Sequence, residues 1–242
     1  MTVKAEGVSK RYFRKTGSAN YFVAVQPISL EIAPGEVTVL TGRSGSGKTT
    51  LLNMLSGLLM PSEGRVWYDG TDLYALDDKA LSRLRSGRIG IVPQGRSAVD
   101  TLTVLENILL PARLYGRALP REAAEKWMES LGIAQLRDAR PAELSGGELR
   151  RMAIARALAQ SPDILFADEP TGDLDDENTR LVLSAFRDYA HEKNKAVFMV
   201  THEDDALLYA DRFCRMDSGR ITVSPEPERP EYAHPLSGAG RK

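Results

Sequence analysis

Eight consecutive residues, Gly42-Arg43-Ser44-Gly45-Ser46-Gly47-Lys48-Thr49, constrain this chain more than any other feature. They follow a short apolar, β-branched run, Val37 to Thr41, and open a helix expected from Lys48 to about Gly57. The glycines let backbone N–H groups turn inward and approach an anion closely. A helix that begins there adds the positive end of its dipole. Lys48 supplies a point charge suited to β- and γ-phosphates, and the Thr49 hydroxyl can bind Mg²⁺. A strand before and a helix after are the context that separates such a phosphate cradle from a chance Gly/Ser turn. Thr50, the next residue of the helix, is grouped with the nucleotide-binding positions.

The run before the cradle has the look of a buried parallel strand, and so do Ile89 to Val92, Ile164 to Ala167 and Val197 to Thr201. Helices are expected at Asp77 to Arg85, Leu149 to Gln160 and Glu177 to Lys193. That alternation predicts an α/β fold, a P-loop NTPase core whose mostly parallel sheet carries helices on both faces. Ahead of it, Val3 to Ile32 reads as an N-terminal antiparallel β subdomain, broken by a polar hairpin loop at Arg14 to Asn20. Arg65 to Tyr68 reads as a strand before an Asp69-Gly70 turn. Thr101 to Arg140 shows helical spacing without strand signal and reads as a helical insertion. Asp211 to Met216 reads as a strand that buries Cys214 as a small apolar residue. The proline- and glutamate-rich end, Ser224 to Lys242, reads as a disordered tail.

Chemistry gathers at the ends of the buried runs. Ile164-Leu165-Phe166-Ala167 leads into Asp168 and Glu169. In an open parallel sheet, ligands bind at the carboxyl ends of strands. Asp168 is thereby a candidate Mg²⁺ ligand and Glu169 a candidate general base for an attacking water. Gln94 and His202 end two other runs, so four strands deliver polar groups to one rim. Ser145 and Glu148 form a capping box ahead of Leu149. Between them, Gly146 and Gly147 expose N–H groups at a positive helix terminus, a second anion site.

With Leu144-Ser145-Gly146-Gly147-Glu148 in place, the chain strongly resembles the ABC ATPases, over nearly its whole length and in the right order. Glu148 stands where that family more often has glutamine. The resemblance implies a nucleotide-binding domain over residues 1–223, with a helical subdomain at about 95–160. It implies that Ser145 and Gly147, with Gly146 and Glu148 in the same signature, meet the γ-phosphate held by the P-loop of a second copy. Gln94 is then the glutamine that couples Mg²⁺ and water to a membrane partner. Glu169 is the catalytic glutamate, and His202 holds the γ-phosphate. Asp175, in Gly172-Asp173-Leu174-Asp175, lies at the dimer interface, and Tyr12 stacks on adenine, with Phe13, Tyr21 and Phe22 nearby. Asp168 to Asp175 and Leu102 to Asn107 are similar to the macrolide-exporter, lipoprotein-release, bacitracin-type peptide-exporter and cell-division group. Asp173 departs from that group's usual asparagine. ATP and Mg²⁺ are the implied cofactors, and a second copy plus an integral membrane permease the implied partners.

Composition narrows the alternatives. The 242 residues, 42% hydrophobic, suffice for a substantial core. A net charge of -1 provides no basic field for nucleic acid, and Arg150 with Arg151 reads as a solvated helix face. One cysteine excludes an intrachain disulfide. No apolar run is long enough to span a membrane, and Met1-Thr2-Val3-Lys4 does not begin a signal peptide. The expected location is cytoplasmic, peripheral on the membrane through the permease. The function expected is ATP hydrolysis powering export or release of a peptide, lipid or drug-like substrate. The alternative is a mechanical or signalling ATPase working through a membrane protein without transport. A DNA-repair ATPase is disfavoured, because the interval of about a hundred residues between the two glycine motifs holds no sustained heptads. A module without catalysis is disfavoured by Glu169 and His202.

Overall fold

The computed structural model describes residues 1–13 and 21–224. The expected loop at Arg14 to Asn20 and the expected tail beyond Ser224 lie outside the described residues. Ser224 itself belongs to the fold, because it pairs with Phe213.

A four-stranded antiparallel sheet comes first. It joins β1 (Val3–Phe13), β2 (Tyr21–Ile32), β4 (Glu63–Tyr68) and β5 (Thr71–Asp72) in the order β2-β1-β4-β5. The second sheet holds β3 (Val37–Thr41), β6 (Ile89–Val92), β7 (Ile164–Asp168), β8 (Ala196–Thr201), β9 (Arg212–Asp217) and β10 (Arg220–Ser224). Its order is β10-β9-β3-β8-β7-β6, parallel throughout except for β10. Parallel strands placed this way bring their carboxyl ends to one rim.

Side chains alternate across that sheet with the period of two that strands impose. Leu40, Ile164, Phe166, Phe198 and Val200 face α1 (Lys48–Leu55) and the antiparallel sheet. Val39, Leu165, Ala167, Val197 and Met199 face the opposite core. That core is closed by α3 (Val104–Leu114), α4 (Arg121–Ser130), α5 (Gly146–Ala159) and α6 (Asp176–Lys193). The remaining helix, α2 (Asp78–Arg88), buries no residue fully and starts at Asp77, whose carboxylate accepts the Ala80 N–H at 2.7 Å.

Boundaries differ from expectation where caps decide them. α5 begins at Gly146 rather than Leu149, because Ser145 caps it and both glycines already have helical backbone. α3 begins on a second capping box, Thr103 with Glu106. Strand β10 was not expected. At the rim away from the glycine loop, Asp163 accepts Arg88 Nε at 2.6 Å and lies 2.6 Å from Lys195 Nζ. These pairs tie together the entries to β6, β7 and β8.

Candidate nucleotide-binding site

The loop after β3 is held in a shape that only glycine allows at two positions, Gly42 and Gly47. Gly47 has φ +109°, and a Cβ there would lie 2.5 Å from the Ala24 carbonyl oxygen. Lys48 is buried and curls back over the loop, donating to the carbonyls of Gly42 at 2.7 Å and Arg43 at 3.2 Å. The Ser46 hydroxyl is buried and has no hydrogen-bond partner among the described residues. Backbone N–H groups, a lysine and the α1 terminus therefore converge on one anion-sized space.

That space opens into a cleft of about 890 Å³. Ser44, Gly45, Gly47, Lys48, Thr49 and Thr50 form its floor. Gln94, exposed after β6, lines one wall, and Glu169 and His202 line another. Tyr12 and Phe22 lie directly opposite each other across β1 and β2, and both rings edge the cleft. A planar base can stack on such rings.

Glu169 occupies a left-handed corner at the end of β7, with φ +48°. Its N–H donates to Val200 O at 2.9 Å. Its Oε2 accepts the His202 N–H at 3.3 Å and lies 2.9 Å from His202 Nδ1, while Oε1 lies 3.9 Å from Lys48 Nζ. The carboxylate thus faces the phosphate cradle between a cation and an imidazole. The Thr171 hydroxyl donates to Glu203, tying the two loops that carry Glu169 and His202.

Asp168 is 4% exposed and accepts the Thr49 hydroxyl at 3.2 Å. Burial pushes its carboxyl above the ordinary range and the charge of Glu169 adds to this, against the Thr49 bond and Lys48. A hydroxyl and a carboxylate in contact beside a phosphate cradle are the hard oxygen donors that Mg²⁺ takes, so these residues fit that ion. Among the described residues no cluster of three or more His, Cys, Asp or Glu could hold a metal unaided. An Mg²⁺ site completed by phosphate oxygens needs no such cluster.

The second glycine motif lies apart from this cleft. Ser145 caps α5: its hydroxyl accepts the Glu148 N–H at 3.3 Å, and Glu148 Oε2 accepts the Ser145 N–H at 2.8 Å. Those bonds to Ser145 hold the Glu148 carboxyl below its ordinary value. Gly146 is exposed, and a Cβ there would meet nothing within 4 Å. Asp175 caps α6, accepting the Asn178 N–H at 2.8 Å, and the bonds from Asn178 hold its carboxyl low. Within one chain, then, the fold gathers Tyr12, the P-loop, Gln94, Asp168, Glu169 and His202, but not Ser145, Gly146, Gly147, Glu148 or Asp175.

One expectation fails outright. Arg150 and Arg151 are not a solvated face: both are buried, at 6% and 8% exposure. Arg150 lines the cleft and donates to Pro93 O at 2.6 Å and Glu169 O at 2.7 Å. Burial holds its guanidinium below the usual arginine value. A signal was available in the sequence. Met152 to Ala155 and Ala157 to Ala159 are apolar on every side, so this helix has no face left for solvent. Phe22 was named only as a neighbour of Tyr12, and its placement in the cleft follows from the strand register.

Comparisons with known proteins agree with this geometry. A family model described as ABC transporter matches residues 25–172. The lipoprotein-releasing system ATP-binding protein LolD of Pseudomonas syringae pv. tomato is 39% identical over 201 residues, 82% of this chain and 88% of that protein. The methionine import ATP-binding protein MetN of Cupriavidus metallidurans is 36% identical over 225 residues, 92% of this chain and 64% of that one. Among solved structures, the ATP-binding cassette MJ0796, a post-hydrolysis dimer bound to ADP and Pi, aligns with a TM-score of 0.84 at 33% identity. That alignment covers 91% of this chain and 98% of the cassette. The chain belongs to the ABC transporter family, as an ATP-binding and ATP-hydrolysing subunit.

Proposed function

We propose that two copies of this chain close head-to-tail on two ATP molecules and so drive a separate membrane permease, to which the chain is bound on the cytoplasmic side. The observation that carries this reading is the place of the Glu169 carboxylate, on the cleft wall between Lys48 Nζ at 3.9 Å and His202 Nδ1 at 2.9 Å. No other carboxylate that lines the P-loop cleft stands between a lysine and a histidine in this way.

The roles follow from position. Gly42, Ser44, Gly45, Ser46 and Gly47 cradle the phosphates, with Lys48, Thr49 and Thr50 at the helix start. Tyr12 offers the ring face on which adenine stacks. Thr49, Asp168 and Gln94 would hold Mg²⁺, which when bound supplies neutralising charge to the phosphate oxygens. Glu169 accepts the proton of the attacking water while His202 fixes its orientation and donates toward the γ-phosphate. Ser145, Gly146 and Gly147 of each copy meet the γ-phosphate held by the other, and Glu148 keeps Ser145 in place. Asp175 lies on that same exposed rim. Closure follows ATP binding because the second anion site is engaged only in the closed dimer.

The lipoprotein-releasing relative supports outward movement of a lipid- or peptide-linked cargo. Co-purification with the permease, followed by ATPase stimulation with lipopeptides, tests that part. For the site itself, Glu169→Gln should bind ATP as the wild type does and accumulate as a nucleotide-dependent dimer. Its hydrolysis should fall by about 100-fold or more. Hydrolysis at the normal rate would remove Glu169 as the base.

A further inference from the structure

Arg150 belongs to the helix that starts at the second glycine motif, yet its guanidinium reaches the cleft of the first. It is 6% exposed. Its two terminal nitrogens donate in different directions, to Pro93 O at 2.6 Å and to Glu169 O at 2.7 Å. These acceptors lie on separate segments, the first one residue before Gln94 and the second on Glu169 itself. A planar guanidinium can span two such acceptors, whereas a lysine ammonium is a single point.

Burying a cation beside neutral carbonyls is costly. Asp173, Asp168 and Glu169 offset the burial electrostatically. A leucine or methionine would pack α5 without that cost, so packing does not account for an arginine here. The state of Glu169 supplies the reason. Its left-handed φ of +48° persists only where the surroundings over-determine it. Val200 O takes its N–H, and its carbonyl accepts chiefly from Arg150, at 2.7 Å, with the Gly172 N–H farther off at 3.5 Å.

We infer that Arg150 is a positioning residue for hydrolysis: it fixes the Glu169 backbone against the segment leading to Gln94, and links both to the helix whose first turn serves the other copy. This rests on Glu169 acting as the base.

The test uses full-length Arg150→Gln, Arg150→Lys, Glu169→Gln and the double variant Arg150→Gln/Glu169→Gln. Steady-state ATPase assays give kcat and KM. Both Arg150 variants should lose about 10- to 100-fold in kcat, the scale of a small misplacement of a reacting group. KM for ATP should hold. The double variant should be no slower than Glu169→Gln, because the two residues act as one unit. Three results would overturn the inference: Arg150→Lys at the wild-type kcat, losses that multiply in the double variant, or a loss explained by weaker ATP binding. If Arg150→Gln does not fold, Arg150→Lys keeps the charge and most of the stem and carries the test. Wild-type hydrolysis by Glu169→Gln would instead defeat the reading of the base, and is seen separately.

Discussion

Gly47 and Gly45 both have left-handed backbones, at φ +109° and +77°, but they differ in surroundings. A Cβ on Gly47 would strike the Ala24 carbonyl oxygen at 2.5 Å, whereas one on Gly45 would meet nothing within 4 Å. Gly47→Ala should therefore destabilise the fold by about 1–3 kcal/mol and weaken ATP binding, and Gly45→Ala should cost no more than its backbone strain. Denaturant melts of the two variants, with nucleotide titrations, check the order. At this scale legibility depended on where the chemistry resides. The roles proposed for Lys48, Thr49, Asp168, Glu169 and His202 reside in their side chains, so residue type and spacing marked them as candidates, and the fold brings them together. Arg150 works through two main-chain carbonyls, one of them 57 residues away in the sequence. Every residue has a carbonyl, so no pattern of residue types marks the partner.

Element boundaries here are set by caps, and the cap of α5 includes a group that titrates. The hydrogen bonds from Ser145 depress the Glu148 carboxyl from 4.5. A depressed carboxyl stabilises the fold fully above its unfolded value and loses that contribution as pH falls through the folded value. Glu148→Gln retains an oxygen for the Ser145 N–H but cannot titrate. The stability advantage of the wild type over this variant should shrink as the medium is acidified below 4.5, as paired thermal melts would record. The four buried parallel strands were legible because β-branched apolar runs have one comfortable environment, a sheet covered on both faces. Strand β10 was not: only Ile221 and Val223 alternate in it, and it forms because β9 offers an edge. The start of α5 was misplaced for a related reason. Glycine disfavours helix by intrinsic propensity, and here the Ser145 cap overrides that preference.

For the molecule as a whole, the two glycine motifs of one chain lie apart, and the proposed sandwich needs one from each of two copies. Gly146 offers a clean probe of the proposed dimer. Gly146 is exposed and a Cβ there would meet nothing within 4 Å, so Gly146→Trp should leave the monomer folded and its ATP binding intact. In the Glu169→Gln background it should abolish the nucleotide-dependent dimer, measured by light scattering. If the double variant still dimerises with ATP, the start of α5 is not the contact. Cys214, the single cysteine of the chain, bears on such experiments. It lies within β9, 2% exposed, and burial pushes its thiol up to about 11. A thiol so withheld is a poor nucleophile toward maleimides. These 242 residues are in effect a blank background for site-directed spectroscopy: one cysteine introduced at the rim would carry the whole label, and opening and closing could be followed without first engineering Cys214 away.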